Sequence, residues 1–216
     1  MTNKNGSKTM KLTEAVERFV SDGCHISIGG FTINRNPMAA VYEIIRQQRR
    51  HLHLYAHSNG QGVDELVGAG CIARLEIAYG GSGRFASTCL RFKKAVQDGT
   101  IAVEDYSNYQ MTLRFMAGAM GVPFLPTRSG LGSDIVRKWG FSGADRASDP
   151  KLPDKKVHIA ENPFGTWGEA EKLVFQVDRG GQPRRRGGKD AKPRAMPQRL
   201  EERQEQLRRQ GLQSAF

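Results

Sequence analysis

The chain has 216 residues, 38% of them hydrophobic, enough for one packed domain with an appendage, and a formal net charge of +11. The charge is uneven: Arg179 to Phe216 holds eleven Lys/Arg and four Asp/Glu, a net of +7, so residues 1–178 carry only +4 and a nucleic-acid reading rests on the tail alone. Cys24, Cys71 and Cys89 are an odd, widely spaced set, which argues against a disulfide framework or a cysteine-built zinc site and fits a reducing cytoplasm; no apolar run is long enough to span a bilayer.

Residues 1–10 are polar, lack the apolar core of a signal peptide, and read as a disordered lead-in. Thr13 to Asp22 predicts a helix with Ala15, Val16, Phe19 and Val20 on one face, stopped by Gly23. His25 to Ile28 predicts the first core strand. It runs into Gly29-Gly30, followed by Asn36 as a helix cap and Pro37 as a first helical residue. The second helix, Pro37 to Arg50, turns Met38, Val41, Ile44 and Ile45 inward. From His51 to His57 the pattern alternates, with Leu52 and Leu54 on one face and His51, His53 and Tyr55 on the other. A short helix over Gly62 to Gly70, a strand over Arg74 to Tyr79, a helix over Thr88 to Asp98 and a strand over Ile101 to Val103 follow. Ser107 then caps a helix running to Met120, stopped by Gly121 and Pro123. This alternation predicts an α/β fold: a parallel sheet with right-handed crossovers and helices on both faces. Ligands of such sheets sit at the carboxyl ends of the strands, where Gly29-Gly30 and the loop from His57 to Gly62 fall.

Several chemistries are absent or weak. No Gly-x-Gly-x-x-Gly or Gly-Lys-Ser/Thr loop occurs, and no Gly-x-Ser-x-Gly elbow. His51 and His53 share a strand face but lack a convincing third ligand, so they read as sheet-surface histidines and no metal site is expected. Glu104-Asp105 reads as a solvated or dipole-stabilised acidic pair before a capped helix.

The string Asp22-Gly23, the apolar strand, then Gly29-Gly30-Phe31-Thr32-x-x-Arg35-x-Pro37 resembles the glycine-loop signature that family I coenzyme A transferases carry on their A (alpha) chains, most of all those of the glutaconate CoA-transferases. The 3-oxoacid branch usually has glycine where Arg35 stands. Further matches follow in order: Glu43 to Gln47, Val67 to Gly70, Val103 to Ser107, Gly121 to Pro126, Ser129 to Asp134 and Glu161 to Phe164. The resemblance covers roughly residues 10–175. It implies the coenzyme A transferase-like fold and places the N-terminal α/β region of such an alpha chain at residues 11–178, without the family's C-terminal part.

The resemblance also implies a function: moving coenzyme A between an acyl-CoA and a carboxylic or dicarboxylic acid. In two-subunit members a glutamate of the B (beta) chain is the nucleophile, and nothing here resembles its setting. No catalytic residue is therefore expected on this chain, which would be inactive without its partner in a higher hetero-oligomer. Coenzyme A would be a co-substrate, with no tightly bound cofactor. The expected oxyanion- and substrate-binding residues are Gly29, Gly30, Phe31, Asn34, Arg35, Ser58, Asn59, Ser129 and Ser133. The amides of Gly29, Gly30 and Phe31 would receive negative charge, at about 3 kcal/mol per donor in the transition state. Arg35 and Asn34 would hold the second carboxylate of a dicarboxylic substrate. A ring-opening acyl-CoA hydrolase of the same fold is the alternative. That branch places an acidic residue near Asn108, which is neutral here.

Beyond Phe175 the resemblance stops, and residues 179–216 read as a basic, disordered tail. Pro197 to Gln210 has only Leu200 and Leu207 to bury and does not predict a stable helix. A truncated or frame-changed gene product, a native short variant and a nucleic-acid-binding arm all accommodate the tail. The last would make the chain a basic-tailed binding protein, but no aromatic residue lies between Arg179 and Leu212 to stack on bases.

Overall fold

The structure is a computed structural model that describes residues 9–138, 140–163 and 172–175. The expected lead-in, except for its last two residues, and the expected basic tail lie outside them. The elements in chain order are α1 (Leu12–Phe19), β1 (His25–Ser27), β2 (Phe31–Thr32), α2 (Met38–Arg46), β3 (Leu52–Asn59), α3 (Gln61–Gly68) and β4 (Ile72–Tyr79). Then come α4 (Leu90–Gln97), β5 (Ala102–Asp105), α5 (Asn108–Met120), β6 (Pro126–Thr127), α6 (Gly143–Ala147), β7 (His158–Glu161) and β8 (Lys172–Phe175). Among the described residues no helix is long and apolar enough to cross a membrane.

The main sheet is parallel, in the order β1-β3-β4-β5, with β2 also paired to β3. Each step moves to the next strand on the same side. Right-handed crossovers then put α2, α3 and α4 on one face. There they pack on Leu52, Leu54, Ala56, Leu75 and Ile77, with Val41, Ile44, Val63 and Leu66 closing a continuous apolar core. Full burial of each of the Val, Leu and Ile side chains contributes about 1.5–3 kcal/mol.

The opposite face receives α5 and the segment carrying α6. Helices thus cover both faces, but unequally, and this second face is charged rather than apolar. α5 begins with a capping box: Ser107 Oγ accepts from the Gln110 N–H while Gln110 Oε1 accepts from the Ser107 N–H. It ends at Gly121, whose φ of 72° only glycine adopts freely.

Two features differ from the sequence expectation. β6, β8 and β7 form a separate antiparallel sheet, which no local pattern announced. And the second helix stops at Arg46 rather than Arg50, because Gln48 and His51 both adopt left-handed φ, 54° and 57°. His51 is therefore in a turn before β3, not on the strand face beside His53.

Candidate functional site

The expected strand-to-helix corner is a bulge within one strand lane. Ser27 pairs with Tyr55 and Phe31 with Ser58, so four steps on the β1–β2 side oppose three on β3. The extra residue falls at Gly29-Gly30, and a bulge leaves backbone groups out of the ladder. Ile28 N–H still donates to the Tyr55 carbonyl, at 3.3 Å. Among the described residues, neither the Gly29 nor the Gly30 amide finds an acceptor. Gly29 is exposed and Gly30 is half-buried, with φ 110°.

The turn into α2 follows the bulge. Phe31 N–H donates to the Asn34 carbonyl and Asn34 N–H returns the bond to the Phe31 carbonyl, both at 2.8 Å. The Phe31 amide, expected to receive negative charge from a substrate, is thus already engaged within the protein. Thr32 and Arg35 adopt left-handed φ of 50° and 55°. Such strain costs about 1–3 kcal/mol per residue and persists only where surrounding bonds enforce it. Here the Thr32 carbonyl accepts from both Asn36 Nδ2 and the Gly60 N–H, at 2.9 Å each. Asn36 is consequently not the cap of α2: its side chain turns back to the bulge, and Pro37 takes the cap position. The left-handed φ at Arg35 is one that glycine adopts without strain. Arg35 is exposed, and among the described residues its guanidinium has no partner.

β3 supplies the rest. Asn59 is 1% exposed and its polar atoms are spent inside the protein, so it does not reach a substrate. Ser58 Oγ donates to Asn108 Oδ1 at 2.7 Å, which ties the bulge region to the start of α5. Ser107 Oγ in turn lies 3.4 Å from Ser129 Oγ. Ser58–Asn108 and Ser107–Ser129 are therefore two bonded pairs at the carboxyl ends of the strands, adjacent because Ser107 and Asn108 are neighbours in the chain. Ser133 belongs to neither: its hydroxyl donates to the Gly130 carbonyl in its own turn. Beside the bulge, a shallow depression of about 440 Å³ opens between Ile33, Gln61, Glu65, Ser82 and Phe85. Burial pushes the thiols of Cys24, Cys71 and Cys89 up, which makes none of them a ready nucleophile.

The charged face of the sheet holds a second cluster that sequence reasoning missed. His53, expected at the sheet surface, is 1% exposed, and Glu104, expected in solvent, is equally buried. His53 Nε2–H donates to Glu76 Oε1 at 2.8 Å, and Arg114 Nη1 of α5 lies 2.5 Å from Glu76 Oε2. Glu104 accepts from the Tyr106 hydroxyl, the Phe141 N–H and Arg146. Asp149 bonds to His25 Nε2 at 2.8 Å and Arg74 at 3.3 Å. Burial lowers the His25 pKa, so its Nδ1 accepts from the Tyr55 hydroxyl, at 2.7 Å. The signal was present as alternation: His53/Tyr55, Arg74/Glu76 and Glu104 occupy one face of successive strands.

His25, His53 and Asp149 bring ligand-type atoms within 4.8 Å of one another. The two imidazoles, however, are stacked, with centroids 4.3 Å apart and planes 24° apart. Imidazole binds a metal in its ring plane at about 2.0–2.1 Å. Planes so nearly parallel meet too far from both nitrogens for one ion to satisfy them. The arrangement is that of a structural polar layer.

Comparison with known proteins agrees with the fold. The sequence pattern of the family described as coenzyme A transferase matches residues 9–155. The chain is 36% identical to the A (alpha) chain of glutaconate CoA-transferase from Acidaminococcus fermentans, over 73% of this chain and 49% of that protein. It is 37% identical to the corresponding A chain of 3-oxoadipate CoA-transferase from Pseudomonas knackmussii, over 72% of this chain and 58% of that one. Against the cholesterol ring-cleaving hydrolase IpdA subunit of Rhodococcus jostii, identity is 35% over 62% of this chain and 44% of that one. The crystal structure of glutaconate coenzyme A-transferase from Acidaminococcus fermentans superimposes with a TM-score of 0.74 at 35% identity, covering 80% of this chain and 53% of that chain. The chain thus spans about half the length of the curated relatives it matches.

Proposed function

The chain belongs to the coenzyme A transferase family, and on that premise we propose that it serves as the alpha component of a heteromeric CoA-transferase. It moves coenzyme A between an acyl-CoA and a carboxylic acid. The nucleophilic glutamate comes from a partner beta chain: its carboxylate attacks the thioester carbonyl, and covalent enzyme intermediates carry the coenzyme A to the acceptor acid. This chain contributes the electrostatic wall. The observation that carries the reading is the glycine bulge, with two amides that find no acceptor among the described residues, at the carboxyl end of a parallel strand, where developing oxyanion charge is best met by fixed N–H donors.

The test is acceptor dependence. With the partner chain supplied, the acyl-CoA of an added carboxylic acid is expected to form only when that acid is present, as read by mass spectrometry. Release of free acid without an acceptor would favour the hydrolase alternative, which the identity to the ring-cleaving hydrolase supports. Asn108 weighs against it, being neutral and engaged by Ser58.

Arg35 is the proposed contact for the second carboxylate of a dicarboxylic substrate. Its left-handed φ makes Arg35→Gly the cleanest variant, since glycine keeps the turn and removes only the fork. The KM for a dicarboxylate is expected to rise about tenfold, the scale of one hydrogen bond between charged groups, with little change for a monocarboxylate. Equal effects on both substrates would remove Arg35 from the site.

A further inference from the structure

We propose that Asn59 is a positioning residue: by holding the Gly29 carbonyl inside the protein, it aims the Gly30 amide outward at the bound anion. The proposal rests on the reading of the glycine bulge as an anion site and adds the device that sets its direction.

The bonding of Asn59 leaves no freedom. Its Oδ1 accepts from the Val63 N–H at 3.1 Å, which identifies the other terminal atom as Nδ2. Nδ2 donates to the Gly29 carbonyl at 3.0 Å and to Asn36 Oδ1 at 2.6 Å. Asn36 Nδ2 continues the chain to the Thr32 carbonyl, at 2.9 Å. A closed ring therefore runs from Gly29 through Asn59 and Asn36 to Thr32 and spans both ends of the bulge. In a trans peptide the carbonyl of one residue and the N–H of the next point in opposite directions; among the described residues the bond between Gly29 and Gly30 is trans, like the rest. With the Gly29 carbonyl turned toward a side chain that is 1% exposed, the Gly30 N–H must face away from it. That amide has no acceptor among the described residues. Asn59 thus acts through the peptide rather than on the substrate.

Two variants separate the effect from charge: Asn59→Ala removes the donor without adding a charge and decides the matter, and Asn59→Asp is its isosteric companion, whose own negative charge also weakens anion binding. The retained oxygen still accepts from Val63, but the second oxygen can no longer donate and repels the Gly29 carbonyl, so the peptide loses its fixed direction. The probe is sodium acetate, titrated into the full-length ¹⁵N-labelled chain. In the wild-type protein the Gly30 amide resonance is expected to shift on acetate addition. In Asn59→Asp, and in Asn59→Ala, acetate is expected to bind there at least about tenfold more weakly, the factor one hydrogen bond to a charged acceptor carries, while amides remote from Asn59 keep their positions. If the wild-type resonance responds and both variants respond equally, the positioning role is overturned and the anion site stands. If the wild-type resonance does not respond, the anion site falls and this inference with it. A readout that needs no variant guards against misfolding. In the wild-type protein the Gly30 amide is expected to exchange with deuterium freely and the Val63 amide slowly; the reverse order overturns the proposal.

Discussion

Replacing Arg114 with methionine is expected to destabilise the protein by about 3–5 kcal/mol, the cost of leaving a buried charge without its partner. Glu76 is 2% exposed. Burial alone would raise its pKa, but the Arg114 charge and the His53 hydrogen bond outweigh that and hold it at about 2. Arg114 has further support from aromatic faces, with its guanidinium carbon 4.4 Å from the Tyr106 ring centroid and 5.6 Å from that of Tyr55. Methionine fills similar volume, so the loss measures charge rather than a cavity. The control is Glu76→Gln combined with Arg114→Met. This double variant is expected to be more stable than Arg114→Met alone, although it carries one more change, because the orphaned charge is gone. Urea denaturation curves with unchanged slope are the measurement.

The same pair sets an acid dependence. The folded-state pKa of Glu76, about 2, lies below its ordinary value of 4.5. Its contribution to stability is therefore present above the unfolded value and lost as pH falls toward the folded one. In Arg114→Met the folded pKa should move above the unfolded value, which reverses the sign. The stability gap between the two proteins is expected to narrow as pH drops through that window. A gap that stays constant would mean that Arg114 contributes packing and not charge.

What the sequence showed follows from the range of the interactions involved. α1, α2, α3, α4 and α5 were legible because apolar spacing, Ser107 and Gly121 act within a few residues of where they stand. The parallel sheet was legible because strand and helix alternate. β2 was not, since two residues carry no period, and without it the bulge reads as a corner. The antiparallel β6-β8-β7 sheet joins Pro126 to Phe175, a pairing with no local signal. His53 and Glu104 were misjudged for the same reason: what buries them is α5 and the segment around Phe141, Arg146 and Asp149, remote in sequence. At the site, residue type pointed correctly to a special backbone at Gly29-Gly30. Its hydrogen bonds did not follow from residue type. Asn36 is a good cap by preference, yet the Thr32 and Asn59 bonds claim it, and the Phe31 amide is taken by a turn visible only in three dimensions.

Gly30→Ala is expected to lower kcat of the assembled enzyme by about 10²–10³-fold, the loss typical of one removed oxyanion donor. A Cβ on Gly30 would stand 2.3 Å from Asn36 Oδ1 and 3.0 Å from the Asn36 Cα, at a φ of 110° that side chains avoid. Asn36 cannot yield readily, because both ends of its amide are bonded. Relief must come from the 29–30 peptide, and rotating it swings the Gly30 N–H off its line. Gly29 is the internal comparison for stability: a Cβ there meets nothing within 4 Å and its φ is not left-handed. Gly29→Ala should therefore melt like the wild type, whereas Gly30→Ala should lose about 1–3 kcal/mol to strain. Strain alone would leave a folded enzyme with nearly normal turnover. Loss of a donor whose bond strengthens as charge develops on the tetrahedral intermediate lowers kcat and kcat/KM together, with KM for the acyl-CoA, whose thioester carbonyl is neutral, little changed. If folded Gly30→Ala instead keeps its kcat, then the bulge shapes the strand edge only, and the negative charge of the reaction is met elsewhere.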